Sequence, residues 1–440
     1  MAAPVLPVVQ PAADYLAEVC QLLWPPPASA GLRLRRRPLA GPAAAGRELI
    51  VLPDARRPKL IVPAGRQASA AAIRRYGEPG SLKTRLATKT LGLALSAGFG
   101  RCLGDRLSLD VPAGSSGIES YLADVLGQPV EISLHLGAAR ANRKPVLQLL
   151  TASGDTIGFA KIGINPLTSA LVRAEGNALT ALAPLAGELE GLRLPRVLGS
   201  GSWNGLEVLV LSPLPVWLRR TPLRSGQLGA VLAELCAVTG TTSGRLAGSE
   251  YWQHLVARIE AADDTPERAE LIKLAEVLAD QAEAAAGAAR VTFGCWHGDL
   301  TAWNIASTPA GLLVWDWERF TTGVPVGYDA LHYWLQGAVR RPSEDPALAA
   351  LRCVALAPEL LTPFGVAEPA ARLTALAYLA ELSARYLADR QEAAGARLGA
   401  PGRWLLPALR AGLEAGQQTE QQTEPRAELQ AGLAAGPEEV

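Results

Sequence analysis

Short apolar segments separated by polar turns fill residues 128 to about 215, and one helical pattern interrupts them. Val130 to Leu136, Val146 to Thr151 and Thr156 to Ile162 have strand length. Asn142-Arg143-Lys144 and Ser153-Gly154-Asp155 supply the turns between them. A helix pattern then runs from about Ser169 to Leu185, and two more strands follow, near Val197 to Gly199 and at Glu207 to Leu211. The order strand–strand–strand–helix–strand–strand predicts an antiparallel sheet with one helix.

From about residue 216 the rhythm becomes helical. Leu228, Val231, Leu232 and Leu235 fit one face of an amphipathic helix. Thr265-Pro266-Glu267 is a helix start, with a capping hydroxyl, a proline in the first turn and an acid at the positive dipole end. Another helix is predicted from about Leu373 to Arg390. Ahead of the sheet, residues 1–125 are rich in proline, alanine and arginine. Two strands, Glu48 to Leu52 and Lys59 to Val62, flank the turn Asp54 to Arg57, and a helix-like stretch spans Ser81 to about Ala97. The predicted class is α+β. A small N-terminal α/β cap (1–125) precedes an antiparallel-sheet lobe (126–215), a larger helical lobe (216–410) and a polar, disordered tail (411–440).

A chain of 440 residues is too long for one ordinary core, and 49% hydrophobic with 19% charged residues is a globular composition. Basic and acidic residues number 42 each, so the charge balance points neither to nucleic acid nor to an anionic membrane surface. The arginine clusters Arg33 to Arg37 and Arg74-Arg75 read as solvated faces. Five scattered cysteines without a CxxC pair argue against a disulfide framework or a zinc site. Met1 to Asp14 lacks the features of a signal peptide, and the longest apolar run, around Leu91 to Phe99, is far short of a membrane span. A cytoplasmic location is expected.

The chemistry lies in Trp296-His297-Gly298-Asp299-Leu300-Thr301-Ala302-Trp303-Asn304 and in Leu312-Leu313-Val314-Trp315-Asp316-Trp317-Glu318. Phosphoryl transfer asks for few protein groups: a carboxylate to take the proton of the acceptor hydroxyl, and oxygen ligands for Mg²⁺. Asp299 can be that base, with Asn304 five residues on as a metal ligand. Ile305-Ala306, the turn at Thr308 to Gly311 and the strand Leu312 to Trp315 form a hairpin that returns the chain to the same place. Asp316 then supplies a second ligand. Singly, Asp299 and Asn304 are also what turns favour. An acid ending a run of apolar residues is harder to explain blandly, because burial there is costly unless the charge is paired or metal-bound.

Those residues, in that order and spacing, resemble the catalytic and metal-binding loops of the aminoglycoside phosphotransferase and choline kinase family, relatives of the protein kinases. The resemblance is clear from about 155 to 335 and extends over 128 to about 400. It implies a bilobal protein-kinase-like fold, ATP and Mg²⁺ as cofactors, Asp299 as base, and Asn304 and Asp316 as metal ligands. It gives His297 and Asp329 structural roles. Of six lysines, only Lys161 lies inside an apolar strand, Ile157 to Ile162. The resemblance makes it the lysine that contacts the α- and β-phosphates, fixed by a helix glutamate, for which Glu175 is placed well. Glu188 and Glu190 compete but fall beyond the helix.

The turn Leu136 to Asn142 departs from the G-x-G-x-x-G of protein kinases in having one glycine. Arg140, Arg143 and Lys144 beside it either assist at the phosphates or, the favoured reading, are solvated turn residues. Trp296, Trp303, Trp315 and Trp317 are expected to pack around the hairpin, with Trp303 a candidate to line an acceptor pocket. No activation segment ending in Ala-Pro-Glu follows, which favours a small-molecule hydroxyl acceptor over a protein. Glu344, Asp345 and Glu381 are candidate acids for a cationic acceptor. The competing readings are a nucleotide-binding regulator with little catalysis and a protein kinase.

Overall fold

A computed structural model describes residues 12–26, 33–35, 47–77, 82–109, 117–137, 140–216, 219–224, 226–285 and 290–416. The chain forms two compact units. One comprises Met1–Pro222, Trp303–Phe320 and Ala393–Ala396; the other Leu223–Ala302, Thr321–Glu392 and Arg397 onward.

The first unit is built on one sheet. Its strands are β1 (Arg33–Arg35), β2 (Arg47–Leu52), β3 (Leu60–Pro63), β4 (Asp105–Leu109), β5 (Glu131–His135), β6 (Val146–Leu150) and β7 (Thr156–Gly163). After a short β8 (Leu192–Arg193), which belongs elsewhere, come β9 (Val197–Trp203) and β10 (Leu206–Leu211). The nine strands run in the order β1-β4-β2-β3-β5-β6-β7-β10-β9. Each neighbouring pair is antiparallel. The α+β class follows, and the strands, turns and helix expected between 128 and 211 are in place.

The boundary expected near residue 125 does not interrupt this sheet. β3 pairs with β5 across it, Leu60 opposite His135 and Ile61 opposite Leu134. The reason lies in side-chain alternation. On β2, Leu49 and Val51 enter a core with α1 (Ala12–Leu23), while Ile50 and Leu52 enter another with α2 (Arg66–Gly77) and α3 (Leu82–Ser96). Strands buried on both faces need cover on both sides. The N-terminal helices provide it, and the first core continues under β5, β6, β7 and β10 through Ile132, Leu147, Ala160 and Val208.

The second unit is mainly helical. Its longest helix, Glu368–Ala388, is buried nearly all round from Ala370 to Arg385, the signature of a helix at the centre of a core. Helices Glu250–Glu260 and Pro266–Ala284 pack in the same core, as do Tyr328–Ala338 and Pro346–Ala355. The start at Thr265 is as expected, with its side chain accepting from the Arg268 N–H. A small sheet joins Thr242–Gly244, Val291–Trp296 and Thr321–Pro325. A last helix over 405–416 occupies the start of the stretch expected to be a polar tail, burying Leu409 and Leu413. The rest of that tail, the side chains of Arg33 to Arg37, and Ala138-Ala139 of the turn Leu136 to Asn142 lie outside the described residues. No described helix is long and apolar enough to cross a membrane.

Candidate active site

In the first unit the site begins with β7. Alternation sends Ala160 and Ile162 into the core shared with α1, so Lys161 points to the opposite face, where α5 (Pro166–Leu182) lies. The start of α5 is fixed locally: Asn165 and Thr168 form a capping box and Pro166 takes the first turn. Gly163 permits the tight approach, since a Cβ there would lie 2.5 Å from the Ser169 backbone. Two turns into the helix, Glu175 faces inward and is fully buried. Lys161 Nζ donates to both Glu175 oxygens, at 2.6 and 2.5 Å. The pairing expected from the sequence is present.

The hairpin Ile305–Thr308 and Gly311–Val314 also belongs to this unit, with β8 added in parallel to its second strand. The N–H of Trp315 donates to the Asn304 carbonyl at 3.1 Å, which sets Asn304 beside the residue before Asp316. Asp316 has φ 75°, the left-handed region that a non-glycine residue enters at a cost. Its carboxylate bonds Lys161 Nζ, and the Trp317 N–H donates to Glu175 Oε1 at 3.2 Å. Three candidate residues from two distant segments therefore meet: Lys161, Glu175 and Asp316.

Glu318, the acid two residues after Asp316 in the same motif, joins them together with Lys144, to which the motif does not point. Lys144 Nζ bonds Glu318 Oε2, and both side chains are buried. Asn142 Nδ2 donates to Glu318 Oε1 at 3.3 Å. The reading of Lys144 as a solvated turn residue is thus corrected: 174 residues separate it from the acid that draws it inward. Arg143 is likewise not simply solvated; its guanidinium stacks 3.6 Å over the Tyr15 ring. Glu175, Asp316 and Glu318 each present one carboxylate oxygen within 4.8 Å of the others.

This density of charge shifts the ionisable groups. Burial alone would push Lys161 down, but Asp316 and Glu175 more than reverse that and hold it firmly protonated. Burial raises the Asp316 carboxyl, yet Lys161 and Lys144 outweigh it and keep it below the usual carboxylate range. Glu175 is raised, chiefly by burial, against the pull of Lys161. All three acids are paired with lysines, Glu175 and Asp316 sharing Lys161, but Asp316 is 30% exposed where Glu175 and Glu318 are buried, so Asp316 is the carboxylate most open to a further cation.

Asp299 lies in the second unit, in the loop after strand Val291–Trp296. Its N–H donates to His297 Nδ1 at 3.2 Å, and His297 is fully buried, in keeping with an orienting role. Asp329, near the start of helix Tyr328–Ala338, accepts from the N–H groups of His297 (2.6 Å) and Gly298 (3.1 Å). Arg385 bonds the Gly298 carbonyl from helix Glu368–Ala388. Burial pushes the Asp329 carboxyl up to about 7, although its two backbone donors pull the other way. Asp329 thus clamps the loop, as the sequence implied.

His332, which no sequence motif marks, brings Nε2 to 3.4 Å from Asp299 Oδ1. Among the tryptophans, Trp296 packs on Tyr328 in the helical core, Trp317 is fully buried in the first unit, and Trp303 is half-buried. The acids considered for a cationic acceptor are otherwise engaged. Glu381 is buried against Arg258, Glu344 pairs with Arg352 at 2.7 Å, and Asp345 caps helix Pro346–Ala355.

Residues 164–363 match the model of the phosphotransferase enzyme family, a span that holds Glu175, Asp299, Asn304 and Asp316 and begins three residues after Lys161. The family resemblance drawn from the motif is thereby borne out. Among curated proteins none matches the chain. Solved structures similar to it include the choline kinase LicA from Streptococcus pneumoniae, at 14% identity and TM-score 0.41 over 68% of this chain and 98% of that one. A thermostable mutant of the aminoglycoside phosphotransferase APH(4)-Ia is similar at 14% identity and TM-score 0.41, over 68% and 99%. The aminoglycoside phosphotransferase APH(3'')-Id from Streptomyces rimosus, solved with ADP and streptomycin, is similar at 17% identity and TM-score 0.33, over 53% and 89%.

Proposed function

We propose that this protein is a small-molecule kinase that transfers the γ-phosphoryl group of ATP to a hydroxyl of a sugar, aminocyclitol or amino alcohol. The observation that carries the reading is the meeting of Lys161, Glu175 and Asp316. A buried lysine held by a buried glutamate is a fixed positive charge of the kind nucleotide phosphates need. Asp316 and Asn304 are the assigned Mg²⁺ ligands, and their hard oxygen donors suit that ion. When bound, Mg²⁺ would neutralise charge on the transferring phosphates. Lys161 would orient the α- and β-phosphates, Glu175 would hold Lys161 in place, and Asp299 would take the proton of the acceptor hydroxyl. A cytoplasmic location is part of the same reading, supported by four described cysteines that are all free and buried.

The test is ATP consumption with Mg²⁺ across a panel of sugars, aminocyclitols and amino alcohols. Turnover with at least one acceptor is expected. Tight Mg·ATP binding without turnover on any of them would turn the reading into a nucleotide-binding regulator.

A further inference from the structure

Helix Tyr328–Ala338 carries, three residues after the clamp at Asp329, a histidine that is almost wholly buried. His332 Nε2 lies 3.4 Å from Asp299 Oδ1, and His332 Nδ1 lies 2.9 Å from Tyr378 Oη, on helix Glu368–Ala388. All three residues belong to the second unit.

We propose that Tyr378 and His332 are positioning residues for Asp299: the tyrosine hydroxyl fixes the imidazole tautomer, and the imidazole N–H fixes one oxygen of the carboxylate. The proposal rests on the reading of Asp299 as proton acceptor.

Donor and acceptor counting supports it. An ionised carboxylate only accepts, so the nitrogen facing Asp299 must carry a hydrogen. A neutral imidazole has one N–H, which leaves Nδ1 as an acceptor, and the partner there is a hydroxyl able to donate. The alternative, a doubly protonated ring, would need Tyr378 to accept at Nδ1. Burial opposes that charge most strongly; the hydrogen bond to Asp299 favours it, the nearby Arg385 opposes it, and the net shift is downward. Burial also keeps the Tyr378 proton in place. Asp299, Arg385 and Tyr378 are the ionisable groups that act on or bond the ring. The 3.4 Å separation is long for an N–H···O bond, as catalytic hydrogen bonds often are before substrate binds. A histidine placed only for packing would have no reason to aim its one proton at this carboxylate.

The experiment has two arms on the full chain. In the first, ¹⁵N-histidine NMR reads the ring nitrogens of the four histidines, with His332 assigned by its loss in His332→Gln. From pH 6 to 8 the wild-type ring should be neutral with the proton on Nε2, and Tyr378→Phe should let the Nδ1–H tautomer appear. A ring that is charged at pH 7, or protonated on Nδ1, overturns the proposal whether or not an acceptor has been found. In the second arm, His332→Leu should lower kcat on the order of 10- to 100-fold, with KM for Mg·ATP nearly unchanged. His332→Gln, whose amide can still donate to Oδ1, should recover most of the loss. Wild-type kcat in both His332→Leu and Tyr378→Phe would overturn it as well. If His332→Leu does not fold, Tyr378→Phe alone decides this arm. Absence of turnover in the wild type itself would count against the proposed activity, and the tautomer arm would still judge the positioning.

Discussion

Lys161 Nζ sits 2.6 and 2.5 Å from the two oxygens of a fully buried Glu175, fourteen residues further along the chain. Removing one partner of a buried pair strands the other, at about 3–5 kcal/mol. Here the loss is smaller because Lys161 keeps Asp316 as a partner. Glu175→Ala should therefore lower unfolding stability by about 1–3 kcal/mol and weaken Mg·ATP binding, with Glu175→Gln milder in both. Denaturant titration and nucleotide titration read the two effects. Wild-type values for both in Glu175→Ala would mean the pair is incidental.

Lys144 and Glu318 form a second buried pair beside the first. A double-mutant cycle with Lys144→Met and Glu318→Gln should give a coupling of about 1–3 kcal/mol in stability. Strict additivity of the two single changes would show that the contact contributes nothing.

How legible these two pairs were differs for a physical reason. Lys161 and Glu175 are linked by one strand, a capped helix start and two short periodicities, all of them local. The hairpin that ends at Asp316 is local too, with Gly311 in its turn at φ 111°. Lys144 and Glu318, by contrast, are polar residues near turns whose burial depends on a partner 174 residues away. The same holds for the pairing of β3 with β5, which carries the sheet across an expected boundary, and for His332, which becomes notable only once Tyr378 and Asp299 are seen beside it. Local pattern shows which face of an element is apolar; it does not show what long-range packing will bring to that face.

The backbone at Asp316 separates strain from chemistry. At φ 75° a side chain costs about 1–2 kcal/mol relative to glycine. Asp316→Ala and Asp316→Gly should both abolish Mg²⁺-dependent nucleotide binding, while the glycine variant is the more stable by about 1 kcal/mol. Retained Mg·ATP affinity in either variant would remove Asp316 from the ligand set.

Asp329 gives a pH dependence. Its carboxyl titrates near 7 when folded and near 3.8 as an ordinary aspartate. Between those values the folded protein holds a proton that the unfolded chain has released. The group's contribution to stability is thus fully present below about pH 4, falls as pH rises through 7, and is flat above. The slope is at most about 1.4 kcal/mol per pH unit. Urea unfolding at pH 5 and pH 8 should show a larger loss in the wild type than in Asp329→Asn. Equal losses would mean that Asp329 is ionised throughout.

In the proposed reaction Asp299 takes the proton of an acceptor hydroxyl while other residues bind the nucleotide. The direct measurement is turnover and Mg·ATP affinity, side by side, for the wild type and Asp299→Asn with an acceptor found in the panel. Loss of the base should lower kcat by about 10²- to 10⁴-fold with nucleotide affinity nearly unchanged. Wild-type turnover in Asp299→Asn would contradict it.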